Sequence, residues 1–320
     1  GRQQKVIYNG CLSTADYITC GIPQGSILGP LLFLLYINDL PSISNQLYFT
    51  LFADDTNAFI SAPSADVAAN IMNHELIKLN SWLVANRLKL NIEKTKYIIF
   101  SASNRITMNT QVKLNNNPIE KVNYASFLGV ILDRNLKWDR HISHVRAKVS
   151  RSIGIFIRLA KNFPQSTTRT LYYTLVHPHL TYCIEVWGGA AQVHLLPLFK
   201  LQKKIIRLIT SSHRLDHTTP LFNQLEILTL KQLYYFHVLL FMHKFCNNLL
   251  PPIFNSMFTL TPAGAYHLRR PPPLTVPFFR LMVARRSLSY FGPKLYNEYY
   301  PQCIFFITSI SIATFKLKLK

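Results

Sequence analysis

The pattern of apolar and polar positions divides the chain into short strand-like runs and longer helix-like runs. In residues 47–60, LYFTLFADDTNAFI, apolar residues stand on both sides of Asp54 and Asp55. This composition predicts two short buried strands joined by a tight turn, with both carboxylates at its tip. Aspartate is a common turn former, but adjacent like charges on an apolar element destabilise it unless a cation offsets them. The residues alone leave a plain turn and a metal site both open.

Apolar residues at helical spacing predict several helices. A glycine-rich loop at residues 21–25 leads into a helix from about residue 26 to residue 40, and residues 63–88 predict a second helix with Ser64 as its N-cap. Residues 140–163 predict an amphipathic helix that carries many basic side chains. Further helices are predicted at residues 166–177, 194–210 and 224–248.

Shorter segments complete the prediction of the fold. Residues 88–100 indicate a lysine-bearing turn that enters a strand, and residues 124–133 indicate a hairpin centred on Gly129. Residues 251–281 are rich in proline and basic residues and are predicted to be mostly irregular. The mixture predicts an α+β fold, in which helices pack on one face of a sheet layer.

Charge is unevenly distributed along the chain. The sequence has 35 Lys and Arg against 14 Asp and Glu, for a net charge of +21. Residues 1–60 carry a net charge of −2, whereas residues 121–180 carry +8 and residues 241–320 carry +9. This layout is typical of a cation site followed by a surface that binds a polyanion. Solvated basic faces that keep an apolar protein soluble explain the total charge but not its asymmetry.

Other classes of protein fit the sequence less well. The five cysteines are scattered and form no CxxC pair, which argues against a disulfide framework or a zinc finger. His141 and His144, and likewise His213 and His217, have helical spacing, but no cysteine or acid completes a metal site with either pair. The apolar stretches are too short to span a bilayer, so no membrane partner is expected. Because Gly1 stands in place of Met and no signal peptide follows, the chain is expected to begin inside a longer protein.

Three motifs in order closely resemble the reverse transcriptases of non-LTR, LINE-like retrotransposons of the jockey type. They are GIPQGSILGPLLFLLYIND at residues 21–39, LYFTLFADDTNAFI at residues 47–60, and LKLNIEKTKYIIF at residues 88–100, followed by YASFLGVILD at residues 124–133. Later segments, including LQKKIIRLIT at residues 201–210 and FGPKLYN at residues 291–297, also resemble the region that follows such domains. The likeness therefore extends over nearly the whole chain.

The resemblance implies a polymerase site, an RNA template with a DNA primer, and a dNTP as partners. The implied site residues are Asp54 and Asp55 as ligands of Mg²⁺ or Mn²⁺, Lys94 as proton donor to the leaving pyrophosphate, Pro23, Gln24 and Gly25 against the template and incoming base, and Phe127, Leu128 and Gly129 in the hairpin that grips the primer. Lys94 can equally be an ordinary exposed lysine. Two-metal chemistry would activate a primer hydroxyl and steady the leaving group.

The resemblance also implies a domain organisation and a location. Residues 1–120 would be part of a right-hand polymerase palm with an antiparallel sheet, residues 121–215 the primer-grip hairpin and basic helical thumb, and residues 216–320 a helical and then proline-rich C-terminal region. A retroelement ribonucleoprotein would occupy the cytoplasm and nucleus rather than being secreted.

One departure from the family affects the expected activity. Such enzymes carry a third catalytic aspartate in an F-D segment well upstream of the GIPQG loop, and Asp16 is too close to that loop to replace it. The fingers, first palm strands and endonuclease are likewise expected on other parts of a longer polyprotein. This polypeptide alone is therefore expected to be inactive. A degenerate or co-opted nucleic-acid-binding module is the main alternative, and a group II intron or telomerase relative is a third.

Overall fold

The computed structural model describes residues 2–18, 21, 25–101, 108–160, 162–261 and 273–307. The chain divides into an N-terminal unit, Gly1–Val122, and a C-terminal unit, Asn123–Lys320. Both helices and strands are present, so the predicted mixed α+β class is confirmed at this level.

The N-terminal unit contains two helices and ten short strands. Its helices are α1 (Leu28–Ile37) and α2 (Ala65–Ala85), and a 3₁₀ turn spans Leu40–Ile43. Its strands are β1 (Arg2–Gln4), β2 (Ile7–Tyr8), β3 (Cys11–Leu12), β4 (Asp16–Ile18), β5 (Tyr48–Phe52), β6 (Asp55–Phe59), β7 (Lys96–Tyr97), β8 (Lys113–Leu114), β9 (Asn117–Pro118) and β10 (Glu120–Lys121).

The C-terminal unit is mainly helical. Its helices are α3 (Asp139–Leu159), α4 (Gln165–Leu175), α5 (His177–Thr181), α6 (Ile184–Trp187), α7 (Gln192–Ile209), α8 (Thr218–Leu225), α9 (Leu230–Cys246), α10 (Met282–Arg285) and α11 (Leu288–Ile307). Its strands are β11 (Tyr124–Phe127), β12 (Val130–Asp133), β13 (Thr259–Leu260) and β14 (Leu274–Thr275), and a 3₁₀ turn spans Pro252–Ser256.

The strands pair two by two in the described parts of the chain. Six pairs are antiparallel, β1 with β4, β2 with β3, β5 with β6, β8 with β9, β11 with β12 and β13 with β14, whereas β7 and β10 are parallel. These pairs do not join into the single sheet layer that the sequence predicted. Within residues 251–281 the two-residue strands β13 and β14 pair, and residues 262–272 lie outside the described residues.

Helix α2 begins where the sequence predicted. The Ser64 hydroxyl accepts a hydrogen bond from the Val67 amide at 3.3 Å, which satisfies a donor that a helix start leaves without an intrahelical partner. Leu76 and Leu79 of α2 pack with Leu40 and Ile119 in the core of the N-terminal unit. Leu51 of β5 packs against the same cluster, so the acidic hairpin is attached to this core by one side.

The core of the C-terminal unit lies among α3, α7 and α9. Phe156 and Trp187 are fully buried there. Gln202 of α7 is also fully buried, and its amide donates to the Tyr172 hydroxyl and the Leu228 carbonyl, each at 2.9 Å. Its carbonyl accepts from the Leu230 amide at 2.9 Å. Because its hydrogen bonds are made, the buried amide avoids the cost of an unsatisfied polar group.

The predicted helix at residues 224–248 corresponds to α9, which starts six residues later than predicted because a separate helix, α8, ends at Leu225. Glu226 has φ of +52°, a left-handed conformation that ends α8. Helix α9 then begins with a capping box between Thr229 and Gln232. In the described ranges no single helix is long and apolar enough to cross a membrane, although α8 and α9 taken together pass that test with a 47° bend between them.

Candidate active site and nucleic-acid interface

The two aspartates lie at the end of the β5–β6 hairpin. Phe52 pairs with Asp55, so Ala53 and Asp54 form a two-residue loop. Ala53 has φ of +50°, a backbone conformation that glycine adopts without strain and that other residues rarely adopt. Asp54 and Asp55 are both exposed. The hairpin thus holds two carboxylates side by side at a short, defined turn.

The hairpin has one face toward the core and one exposed face. Alternation along β6 places Asp55 and Phe59 on the same face, and cross-strand pairing adds Tyr48 and Phe52 to it. Tyr48, Phe52 and Phe59 are 52%, 58% and 40% exposed. The prediction of two buried strands is therefore wrong, because β5 and β6 pair only with each other in the described structure and this face has no cover.

The carboxylate oxygens of Asp54 and Asp55 suit a hard cation that also binds water or substrate oxygens. Carboxylate oxygens are the side-chain ligands that Mg²⁺ prefers, and this ion usually retains waters or binds substrate phosphates as well. In the described part of the chain, neither Asp54 nor Asp55 takes part in a salt bridge. The same described residues contain no group of three or more His, Cys, Asp or Glu side chains placed to hold a metal. The pair fits partial coordination of a cation rather than a complete protein cage.

The glycine-rich loop before α1 is described only in part. Gly25 has φ of +85°, a conformation that a side chain would strain, and an added Cβ would meet no atom within 4 Å. Pro23 and Gln24 lie outside the described residues. Helix α1 follows, slightly shorter than predicted, and its leucines Leu28, Leu31 and Leu35 are 60%, 55% and 67% exposed.

Lys94 lies in the turn between α2 and β7, where the sequence predicted a lysine-bearing turn. The Asn91 side chain accepts a hydrogen bond from the Lys94 amide at 3.2 Å, and the Thr95 hydroxyl donates to the Asn91 carbonyl at 2.8 Å. The Lys94 side chain is exposed. Within the described residues no hydrogen bond joins this side chain to Asp54 or Asp55, and its role as a proton donor stays a prediction.

The second predicted hairpin has its expected form. Phe127 pairs with Val130, and Leu128 and Gly129 have φ of +45° and +79° in the two-residue loop between them. Positive φ at both positions is the type I′ arrangement. The Tyr182 hydroxyl donates to the Leu128 carbonyl at 2.6 Å and so fixes the loop against the segment between α5 and α6. Sequence reasoning missed Tyr182, since nothing local marks a partner 54 residues away.

A cavity of about 280 Å³ lies beside this loop. Leu128 and Gly129 line it together with His141, His144 and Lys148 of α3 and with His179 of α5. Burial lowers the pKa of His141 to about 4, and the positive charges of His144 and Lys148 act in the same direction. Burial also lowers the pKa of His179. His141 and His179 are therefore neutral near pH 7, and Lys148 lies beside them in the lining of the cavity.

Helix α3 presents a row of cations opposite its buried face. At about 100° per residue, Arg140, Arg151 and Arg158 fall within roughly 20° of one another around the helix. All three are exposed, whereas Val149 and Phe156 on the opposite side are fully buried. From Arg140 to Arg158 the row extends about 27 Å along the axis. The Arg140 guanidinium lies 4.1 Å from the centre of the Tyr124 ring, which orients it.

Known proteins resemble this chain in the segment that contains the hairpin. Residues 3–132 match the family described as reverse transcriptase (RNA-dependent DNA polymerase). The probable RNA-directed DNA polymerase from transposon X-element of Drosophila melanogaster is 29% identical over 237 residues, which are 72% of this chain and 26% of that protein. The RNA-directed DNA polymerase from mobile element jockey of Drosophila funebris is 28% identical over 223 residues, 66% of this chain and 24% of that protein.

A third relative shows the same coverage. The probable RNA-directed DNA polymerase from transposon BS of Drosophila melanogaster is 25% identical over 222 residues, 66% of this chain and 24% of that protein. The chain therefore spans about a quarter of the length of these curated relatives. The resemblance to reverse transcriptases of non-LTR retrotransposons that the motifs predicted is confirmed.

Proposed function

We propose that these 320 residues are part of an RNA-directed DNA polymerase of a non-LTR retrotransposon. The observation that carries the proposal is the exposed Asp54–Asp55 pair at the turn of a hairpin, inside the segment that matches the reverse transcriptase family. A turn former alone does not require two acids there. In the complete protein the substrates would be an RNA template, a DNA primer and a dNTP.

The carboxylates of Asp54 and Asp55 would hold Mg²⁺, with Asp54 as the direct ligand. When bound, such an ion activates the primer hydroxyl and neutralises charge that develops on the phosphates. The two-residue turn contributes rigidity, because it fixes where both carboxylates point. Lys94 would donate a proton to the leaving pyrophosphate.

The remaining parts would position nucleic acid. Residues 1–120 would belong to the palm, with Pro23, Gln24 and Gly25 against the template and incoming base. The β11–β12 loop, with Phe127, Leu128 and Gly129, would hold the primer, and Tyr182 supports this role because it anchors the loop. Helix α3 would be the thumb, and its exposed arginine row suits the regularly spaced phosphates of a duplex.

Residues 1–320 by themselves are expected not to extend a primer. Asp54 and Asp55 supply two carboxylates, and the described residues bring no third metal-ligand side chain to them. Two-metal chemistry needs more anionic ligands than this pair provides. Incubation of the purified chain with primed RNA, dNTPs and Mg²⁺ tests this, and templated extension would show the expectation to be wrong.

The test of the proposed site is binding of a labelled RNA–DNA template–primer with and without Mg²⁺. We expect Mg²⁺ to strengthen binding by the natural chain and not by Asp54→Asn, because that change removes the charge that holds the ion. Asp16→Asn is the matched control, since Asp16 is exposed and lies on β4. If Asp54→Asn responds to Mg²⁺ as the natural chain does, the protein is a binding module without a polymerase site.

A further inference from the structure

A second cavity lies wholly within the C-terminal unit, among α6, α7, α9, α10 and α11. Its volume is about 360 Å³, within the range of roughly 300–1,000 Å³ found for small-ligand pockets. Neither aspartate of the hairpin nor any residue of α3 lines it. The cavity is therefore separate from every residue assigned above to polymerisation.

Aromatic rings form much of the wall. The rings of Tyr234 and Phe291 are stacked, with centroids 5.3 Å apart and planes at 11°. The Tyr235 ring lies 5.5 Å from that of Phe291, and Phe199 of α7 lines the opposite part of the cavity. Tyr235, Phe291 and Phe199 are each partly exposed, so a flat ligand can reach them. Aromatic side chains of this kind stack with nucleobases of any sequence.

Cations surround the opening. Lys231, Arg285 and Arg286 line the cavity and are exposed, and the Lys231 ammonium lies 5.3 Å from the centre of the Tyr235 ring. Among the described residues that line it there is no aspartate or glutamate. Glu185 lies on α6, but its carboxylate is 3.1 Å from the ring nitrogen of His237. The rim therefore favours an anion, and a guanidinium or ammonium suits phosphate oxygens.

One buried hydroxyl at the cavity has no partner. Tyr234 is 6% exposed, and its Oη makes no hydrogen bond to any described residue. Burial raises the pKa of this hydroxyl, so it stays protonated and remains a donor. An unsatisfied buried polar group costs roughly 1–3 kcal/mol, so this hydroxyl lowers the stability of the fold.

Two glycines after α6 lie close against Tyr234. A Cβ at Gly189 would lie 2.9 Å from the Tyr234 Oη and 2.4 Å from the Arg286 carbonyl oxygen. A Cβ at Gly188 would lie 2.3 Å from the Tyr234 ring. Both glycines line the cavity. The backbone after α6 can approach Tyr234 and Arg286 this closely only because it carries no side chains there.

We propose that this cavity binds one unpaired nucleotide of a single-stranded nucleic acid. The base would stack on the aromatic wall, while Lys231 and Arg286 contact the adjoining phosphate. The site would hold a strand end or a flipped base away from the duplex. It goes beyond the polymerase site and does not depend on it.

The test is binding of a labelled single-stranded tetranucleotide to the full chain, measured by fluorescence anisotropy. An abasic tetranucleotide of equal charge separates base stacking from phosphate attraction. We expect the abasic probe to bind about tenfold more weakly, in line with the loss of one stacked base. Equal affinity for the two probes would overturn the proposal.

Variants locate the binding. Tyr235→Ala and Arg286→Gln are each expected to weaken binding of the tetranucleotide about tenfold. Arg214→Gln, at an exposed position between α7 and α8 and with the same loss of charge as Arg286→Gln, should leave it within about twofold. If neither Tyr235→Ala nor Arg286→Gln weakens binding of the tetranucleotide, the cavity does not hold the nucleotide and the proposal fails. The tetranucleotide assay contains no Mg²⁺, whereas the test of the polymerase site measures the response to Mg²⁺, so failure of the polymerase site and failure of this site are distinguishable.

Discussion

The arginine row of α3 gives a quantitative prediction for duplex binding. Replacement of Arg140, Arg151 and Arg158 by glutamine removes three exposed charges from one line of the helix. The fold should tolerate this, because substitutions at exposed positions usually change stability by less than about 0.5 kcal/mol. Arg140 adds a contact with the Tyr124 ring, worth roughly 0.5–1 kcal/mol, which a thermal melt will register.

The expected change in the salt dependence of duplex binding follows from counterion release. Each phosphate that a protein neutralises on duplex DNA contributes about −0.9 to the slope of log K against log salt concentration. If each of the three arginines contacts one phosphate, the variant's slope is less negative by about 2.7. Between about 50 mM and about 200 mM salt, the natural chain should therefore lose about 40-fold more affinity than the variant.

The assay is a salt series of anisotropy titrations with a labelled duplex. A matched control replaces Lys200, Lys204 and Lys294, which are exposed and lie on α7 and α11, by glutamine. The control has the same net charge as the variant, so any general effect of charge is equal in the two. A slope that changes by less than about 1 in the α3 variant, or equally in the control, would refute the assignment of α3 to the duplex.

Three further predictions concern stability. The Glu75 carboxylate is fully buried and lies 2.7 Å from the Lys78 ammonium, which together with Ser44 lowers the pKa of Glu75 from 4.5 to about 2. The stability that this carboxylate adds is therefore complete above pH 4.5 and is lost as the pH falls toward 2. Glu75→Gln should abolish that loss when urea unfolding is measured at a series of pH values. Phe156→Ala should lower the free energy of unfolding by about 3–5 kcal/mol, while Ile157→Ala at the neighbouring exposed position changes it by less than about 1 kcal/mol. Ala53→Gly should raise the midpoint of thermal unfolding slightly, because glycine adopts positive φ without strain; a lower midpoint would contradict this.

Local sequence signals predicted the elements that are stabilised by residues within the element itself. Ser64 marks the start of α2 because its hydroxyl satisfies a backbone donor of that helix alone. The β11–β12 hairpin was predictable for a similar reason, since Gly129 favours the positive φ of its loop. The two aspartates were found because acids are rare in apolar strand-like runs.

Features that depend on distant partners were not predictable. Helix α8 ends at Glu226 without a glycine or proline, the residues that usually mark a helix end in a sequence. The predicted helix therefore starts before this break. The exposure of Phe52 depends on which strands lie beside the hairpin, and a single sequence does not show pairing between distant segments. The cavity at Tyr234 unites residues from five helices, and no short motif contains them.

Gln202 has a consequence for how the helical unit loses its structure. One side-chain amide holds Tyr172 of α4, the Leu228 carbonyl and the first amide of α9. If one of these partners separates alone, the buried groups that remain lose hydrogen bonds without gaining bonds to water. The local unfolding of lowest free energy is therefore one in which all three segments separate together. Amide hydrogens in these segments should therefore exchange with deuterium at a common slow rate rather than one helix at a time.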